Sequence, residues 1–158
     1  MPFVYTVAGL AANASYTIAS ANTEDPTLAL RQAVRGFDIT GVYGNGRANA
    51  ATTISGISYI GRRWTTAGSG GTAVTPNPKR IGTTASTTAA DKATAITQGT
   101  VSGAIQFSFG TGKAGPGGWV ARDADSAVHV EGTSADEVSI NALSAETLNH
   151  YVWAEIAE

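Results

Sequence analysis

The chain has 158 residues, 42% of them hydrophobic and 14% charged, with a net charge of −2; a chain of this length is most economically one domain, residues 1–158, with room for a real core. The charged fraction lies well below the roughly one quarter usual for globular domains, and nineteen glycines with many Ala, Thr and Ser take up the difference, a mix that suits strands joined by turns and surfaces covered by other subunits. The absence of cysteine excludes disulfides, zinc–thiolate sites and a thiol nucleophile.

Alternating apolar residues predict strands along most of the chain. "FVYTVAG" places Phe3, Tyr5 and Val7 on one face, and "SYTIAS" aligns Tyr16 with Ile18. "DPTLALRQAVRG" fits two states equally. Asp25, Pro26 and Gly36 can cap and bound a short helix, while Leu28, Leu30 and Val34 can share one face of a strand. "FDITGVY" carries Phe37, Ile39 and Tyr43 at even spacing, and "GNG" at 44–46 predicts a hairpin tip. "TISGISYIGRRW" is rich in Ile and aromatics; "AIQFSFG" aligns Ile105, Phe107 and Phe109. "AVHVEG" joins Val128 to Val130. "EVSINA" joins Val138 to Ile140, although Ser134 and Glu137 imitate a capping box. "YVWAEIA" sets Tyr151, Trp153 and Glu155 opposite Val152, Ala154 and Ile156. The expectation is an all-β fold, a single-domain β-sandwich with at most one or two short helices.

Residues 65–100 stand apart. "TTAGSGGTAVTPNPKRIGTTASTTAAD" is poor in large apolar side chains, and so long a gap inside a compact domain is functional or disordered. Pure disorder brings more charge. With Pro76, Pro78 and Ile81 in it, the segment is therefore expected to be a long extended arm or loop that becomes fixed on a neighbouring surface.

No motif supplies a chemistry. "GTGKAG" at 110–115 spells the dinucleotide fingerprint, yet "PGG" follows where a helix should start, so it is expected to be a turn. Ala114 also stands where a phosphate-binding loop needs Ser or Thr after Lys113. His129 and His150 lie on different strands without metal-ligand spacing. Asp123 and Asp125 in "RDADS" are too few for a calcium loop. No G-x-S-x-G elbow exists, and Asp38 could join a histidine only through tertiary contact. "NAS" at 13–15 is a sequon that matters only in a secreted eukaryotic chain. Neither a cofactor nor an enzymatic activity is expected.

Trp64, Trp119 and Trp153 could form a sugar platform; packing in the fold is the favoured reading, with Trp64 anchoring the base of the arm. Residues 1–113 carry nine Lys/Arg against four Asp/Glu, and residues 114–158 one against eight. Either these charges scatter on folding or they form complementary faces that meet between subunits. Basic residues cluster only at Arg62–Arg63 and Lys79–Arg80, so nucleic acid is not an expected partner. The N-terminus has no signal-peptide pattern, and no apolar run approaches the roughly 20 residues of a membrane helix, so no membrane partner is expected.

At "RRWTTAGSGGTAVTPNPKR" and the closing "YVWAEIAE" the chain resembles small virion proteins of tailed bacteriophages, over residues 27–92 and 145–158. The resemblance implies a jelly-roll-like domain that decorates or cements the phage head. Its partners would be the major capsid protein and its own copies in a homotrimer or other homo-oligomer; its location would be the virion, and the host cytoplasm before assembly. No catalytic residues come with it. Arg62, Arg63, Trp64, Pro76, Pro78, Lys79 and Arg80 are the expected contact residues, since Arg and Trp anchor interfaces and prolines lower the entropy lost on fixing an arm. The alternative is a glycan-binding or structural module of a phage tail or fibre.

Overall fold

A computed structural model describes residues 2–8, 15–17, 26–32, 35–47, 56–66, 68–86, 88–97, 100–112, 115–131, 136–142 and 147–158. They form two antiparallel sheets packed face to face, a β-sandwich, as expected. The strands are β1 (Val4–Ala8), β2 (Ser15–Thr17), β3 (Pro26–Gln32), β4 (Phe37–Arg47), β5 (Gly56–Thr66), β6 (Ser69–Val74), β7 (Asn77–Pro78), β8 (Thr88–Thr97), β9 (Thr100–Gly112), β10 (Pro116–Val120), β11 (Val128–Val130), β12 (Glu137–Ala142) and β13 (Thr147–Ala157). The first sheet runs β10-β4-β13-β1-β7, with β11 also on β4 and β2 also on β13; the second runs β6-β8-β3-β12-β5-β9.

The core lies between the sheets. Tyr5, Val7, Phe37, Ile39, Val42, Val128, Val130, Val152, Ala154 and Ile156 come from the first sheet, and Leu28, Leu30, Tyr59, Phe107, Val138 and Ile140 from the second. Each buried Val, Leu, Ile or Phe among them stabilises the fold by about 1.5–3 kcal/mol before ordering costs. Tyr59 stacks on Phe109 at 5.0 Å between ring centroids. Gly44, opposite them, lets these rings approach: a Cβ there would stand 3.0 Å from Tyr59 and 3.2 Å from Phe109.

Of the undecided segment 25–36, Pro26–Gln32 is a strand, because Leu28 and Leu30 enter the core while β12 and β8 take up its backbone groups; Asp25 and Val34 lie outside the described residues. The expected hairpin tip at 44–46 is instead the interior of β4, with β13 on one side and β10 on the other. "RDADS" is a solvated turn. Asp123 caps the 3-10 turn Ala124–Ser126 by accepting from Ser126 N at 2.8 Å.

The largest departure concerns residues 65–100. The described part of this stretch is not an arm that leaves the sandwich: β6 and β8 extend the second sheet beyond β3, and β7 pairs with β1 at the edge of the first. Thr and Ala satisfy a ladder as well as large side chains do, so the segment reads as a loop by hydropathy and folds as strands by hydrogen bonding.

Candidate functional site

The described residues expected to make contacts fall into two places. Arg62, Arg63 and Trp64 lie on β5, in the second sheet. Register pairs Trp64 with Glu137 and Arg62 with Ser139. Trp64 is 1% exposed, and its Nε1 donates to Ser139 Oγ at 2.6 Å, which donates on to Asn141 Oδ1 at 2.6 Å. A buried indole satisfied this way is a structural residue, which corrects its assignment as a partner anchor. Beside it, the buried Glu137 accepts from Arg31 Nε at 2.7 Å and from Gly68 N at 2.9 Å. That carboxylate holds the corner between β5 and β6.

Arg63 is also committed within the chain. Its Nη1 donates to Asp136 Oδ2 at 2.6 Å, and its Nη2 to the His129 carbonyl. His129 Nδ1 lies 2.6 Å from Asp38 Oδ1, since the two residues are directly opposite on β11 and β4. Its Nε2 faces Glu131 at 4.0 Å. With carboxylates on both ring nitrogens, the pair lacks the geometry of a nucleophile activated by a histidine.

The second group, Pro78, Lys79 and Arg80, sits at the edge of the first sheet. Pro78 pairs with Tyr5 on β1, an edge position that suits a residue without an N–H. Pro76, just before it, is buried and so is no more a contact residue than Trp64. Lys79 N donates to Val4 O at 3.0 Å, and its ammonium pairs with Glu155. Arg80 to Thr83 form a turn, with Thr83 N donating to Arg80 O at 3.4 Å and Gly82 at φ +80. Positive φ at the third position is what a type II turn requires, and glycine meets it without strain. Ile81 is thereby presented fully exposed at the tip.

The turn is anchored on its far side. Tyr5 Oη donates to Thr84 O at 2.7 Å. The Glu158 carboxylate accepts from Ser86 Oγ at 2.6 Å, Thr88 Oγ1 at 2.7 Å and Thr88 N at 3.0 Å. Between turn and sheet lies a cleft of about 420 Å³ lined by Pro2, Phe3, Val4, Lys79, Arg80 and Thr83, and Phe3 is 45% exposed. An ordered turn thus carries an apolar tip, a guanidinium and an apolar-walled cleft side by side. Sequence reasoning named Lys79 and Arg80 as contacts, used Ile81 only as a sign of an ordered arm, and missed Phe3; the signal for Ile81 as a contact was an isoleucine beside glycine inside a polar run.

The three tryptophans differ. Trp119 stacks on Phe107 at 4.7 Å and packs against the core. Trp153 stacks on Tyr43 at 5.3 Å, on the side of the first sheet opposite the buried Val42, Val152 and Ala154. Among the described residues no group of three or more His, Asp or Glu could hold a metal ion, and no helix is long and apolar enough to cross a membrane.

No family model matches the chain, and no curated protein matches it. Among solved structures it is similar to the infectious bursal disease virus VP2 subviral particle, with 11% identity over 99% of this chain and 41% of that chain at a TM-score of 0.24. It is similar to T=1 particles derived from Infectious Bursal Virus at 11% identity over 99% of this chain and 40% of that one, again with a TM-score of 0.24. The chain spans about two-fifths of the length of these structures. At this score the likeness carries no argument about fold or role.

Proposed function

We propose that the protein is a structural virion protein, a capsid decoration or cement protein that binds the major capsid protein lattice and stabilises a bacteriophage head. The observation that carries this reading is the Arg80–Thr83 turn: an isoleucine held fully exposed beside Phe3 and a cleft, on a segment fixed at both ends. A rigid apolar knob loses little entropy on docking, and a neighbouring Arg supplies the charged contact typical of interface centres. The resemblance at residues 27–92 and 145–158 supplies the partner. Arg80, Pro78 and Lys79 remain contact residues in this reading, joined by Phe3 and Ile81. The protein self-associates, as a homotrimer, on the assembled head, and waits in the host cytoplasm before assembly. The role is non-catalytic and involves neither nucleic acid nor membrane.

The test is occupancy on particles that lack the protein. Wild-type chain should saturate purified heads and raise their resistance to heat. Ile81→Asp and Phe3→Asp should fold normally by circular dichroism and bind at least tenfold more weakly. Wild-type occupancy by both variants would refute the reading. Binding to purified tails or fibres instead of heads would transfer the protein to the alternative role, a structural or glycan-binding module there.

A further inference from the structure

The outer face of the first sheet carries two adjacent rows of side chains set by the strand register. One row crosses four strands as Gly118, Tyr43, Trp153 and Ala8. The next crosses as Val120, Gly41, Glu155, Thr6 and Asn77. In the first row two aromatic rings stack at 5.3 Å with an interplanar angle of 18°, flanked on either side by Gly118 and Ala8. Gly118 leaves room for Tyr43: a Cβ there would stand 2.9 Å from its ring and from the Val42 carbonyl oxygen. The second row offers a carboxylate, a hydroxyl and a carboxamide. Glu155 is neutralised by the ammonium of Lys79, so the Glu155–Thr6–Asn77 part of the row is polar without net charge, while Val120 at its other end is exposed and apolar.

We infer that this face is a binding site for a neutral oligosaccharide, with the Tyr43–Trp153 pair as stacking platform and Glu155, Thr6 and Asn77 reading hydroxyl groups. A sugar ring has an apolar C–H face and a rim of hydroxyls, and the two rows match that division. Aromatic rings supply the contact area for the face, while a few placed polar groups fix orientation. A charged ligand would meet the closed Lys79–Glu155 pair instead of a free charge. A protein partner needs a broader apolar centre than two rings bounded by Gly and Ala. The aromatic pair stands apart from Phe3 and Ile81, and the two surfaces meet only at Lys79, which pairs with Glu155.

The experiment titrates the full chain with soluble neutral oligomers of glucose, galactose and N-acetylglucosamine, reading tryptophan fluorescence and amide chemical shifts. At least one series should saturate, shifting amides of β4 and β13, and Trp153→Ala and Tyr43→Ala should each abolish binding. Asn77→Ala changes an exposed side chain, so the fold is safe, and should weaken binding about three- to tenfold, the loss of one hydrogen bond. Two results would each overturn the inference: no oligomer binds, in which case lower occupancy of Trp153→Ala on particles makes the face a protein contact; or binding survives both aromatic substitutions.

Discussion

At the scale of single residues, stability rests on side chains that serve no partner. Trp64 donates into a buried chain of Ser139 and Asn141. Trp64→Phe keeps most of the apolar bulk and removes the donor, so it should cost about 1–3 kcal/mol for the unmet hydroxyl, read as a lower urea midpoint. Gly117 lies where β10 crosses β9, and a Cβ there would fall inside the contact radius of Gly110 O, a backbone atom that cannot rotate away. Gly117→Ala should therefore destabilise by about 1–3 kcal/mol, the usual cost of overpacking. Burial holds the Tyr59 phenol well above its ordinary range. A raised phenol keeps its proton in the folded state after the unfolded chain has lost it. Its stabilisation is thus complete below about pH 10 and drains away as pH rises beyond that value. Tyr59→Phe should flatten the alkaline fall in melting temperature; an unchanged alkaline limb would exclude Tyr59 as its source.

At the scale of elements, segments with large alternating side chains were legible and those held by backbone bonds were not. Tyr5 and Val7, Val138 and Ile140, and Val152, Ala154 and Ile156 are buried as their period of two requires. The even spacing of Phe37, Ile39 and Tyr43 misleads, because the register of β4 against β13 shifts between Ile39 and Gly41. One extra residue reverses the alternation, and Tyr43 emerges on the outer face. A similar shift between β5 and β9 separates the buried Phe107 from Ile105, which is exposed. Bulges leave no mark in hydropathy. Nor do β6 and β8, whose ladders account for their place in the sheet. Deleting residues 69–97 should therefore lower the melting temperature sharply or prevent folding, because β3 would lose one of its two partners, β8, and become a bare edge; an unaltered melt would return the segment to the status of an arm.

At the scale of the whole molecule, the uneven charge of the sequence resolves inside one chain. Arg31, Arg63 and Lys79 come from the basic portion, and their partners Glu137, Asp136 and Glu155 from the acidic one. β12 lies between β3 and β5, and β13 between β4 and β1, so the topology interleaves the two portions and brings opposite charges together. That arrangement favours charges scattered on folding over separate faces for a neighbour. The sandwich was legible because alternation and glycine punctuation are local signals. The knob at Ile81 was not, because exposure of an apolar side chain depends on how the Arg80–Thr83 turn is pinned by Tyr5 and Glu158, strands away in sequence. The central claim is that this turn docks on a capsid. A density map of the purified particle tests it most directly: the chain should stand on the head with Phe3 and Ile81 against the major capsid protein. A map with the chain absent from the head, or present with that turn facing solvent, would contradict it.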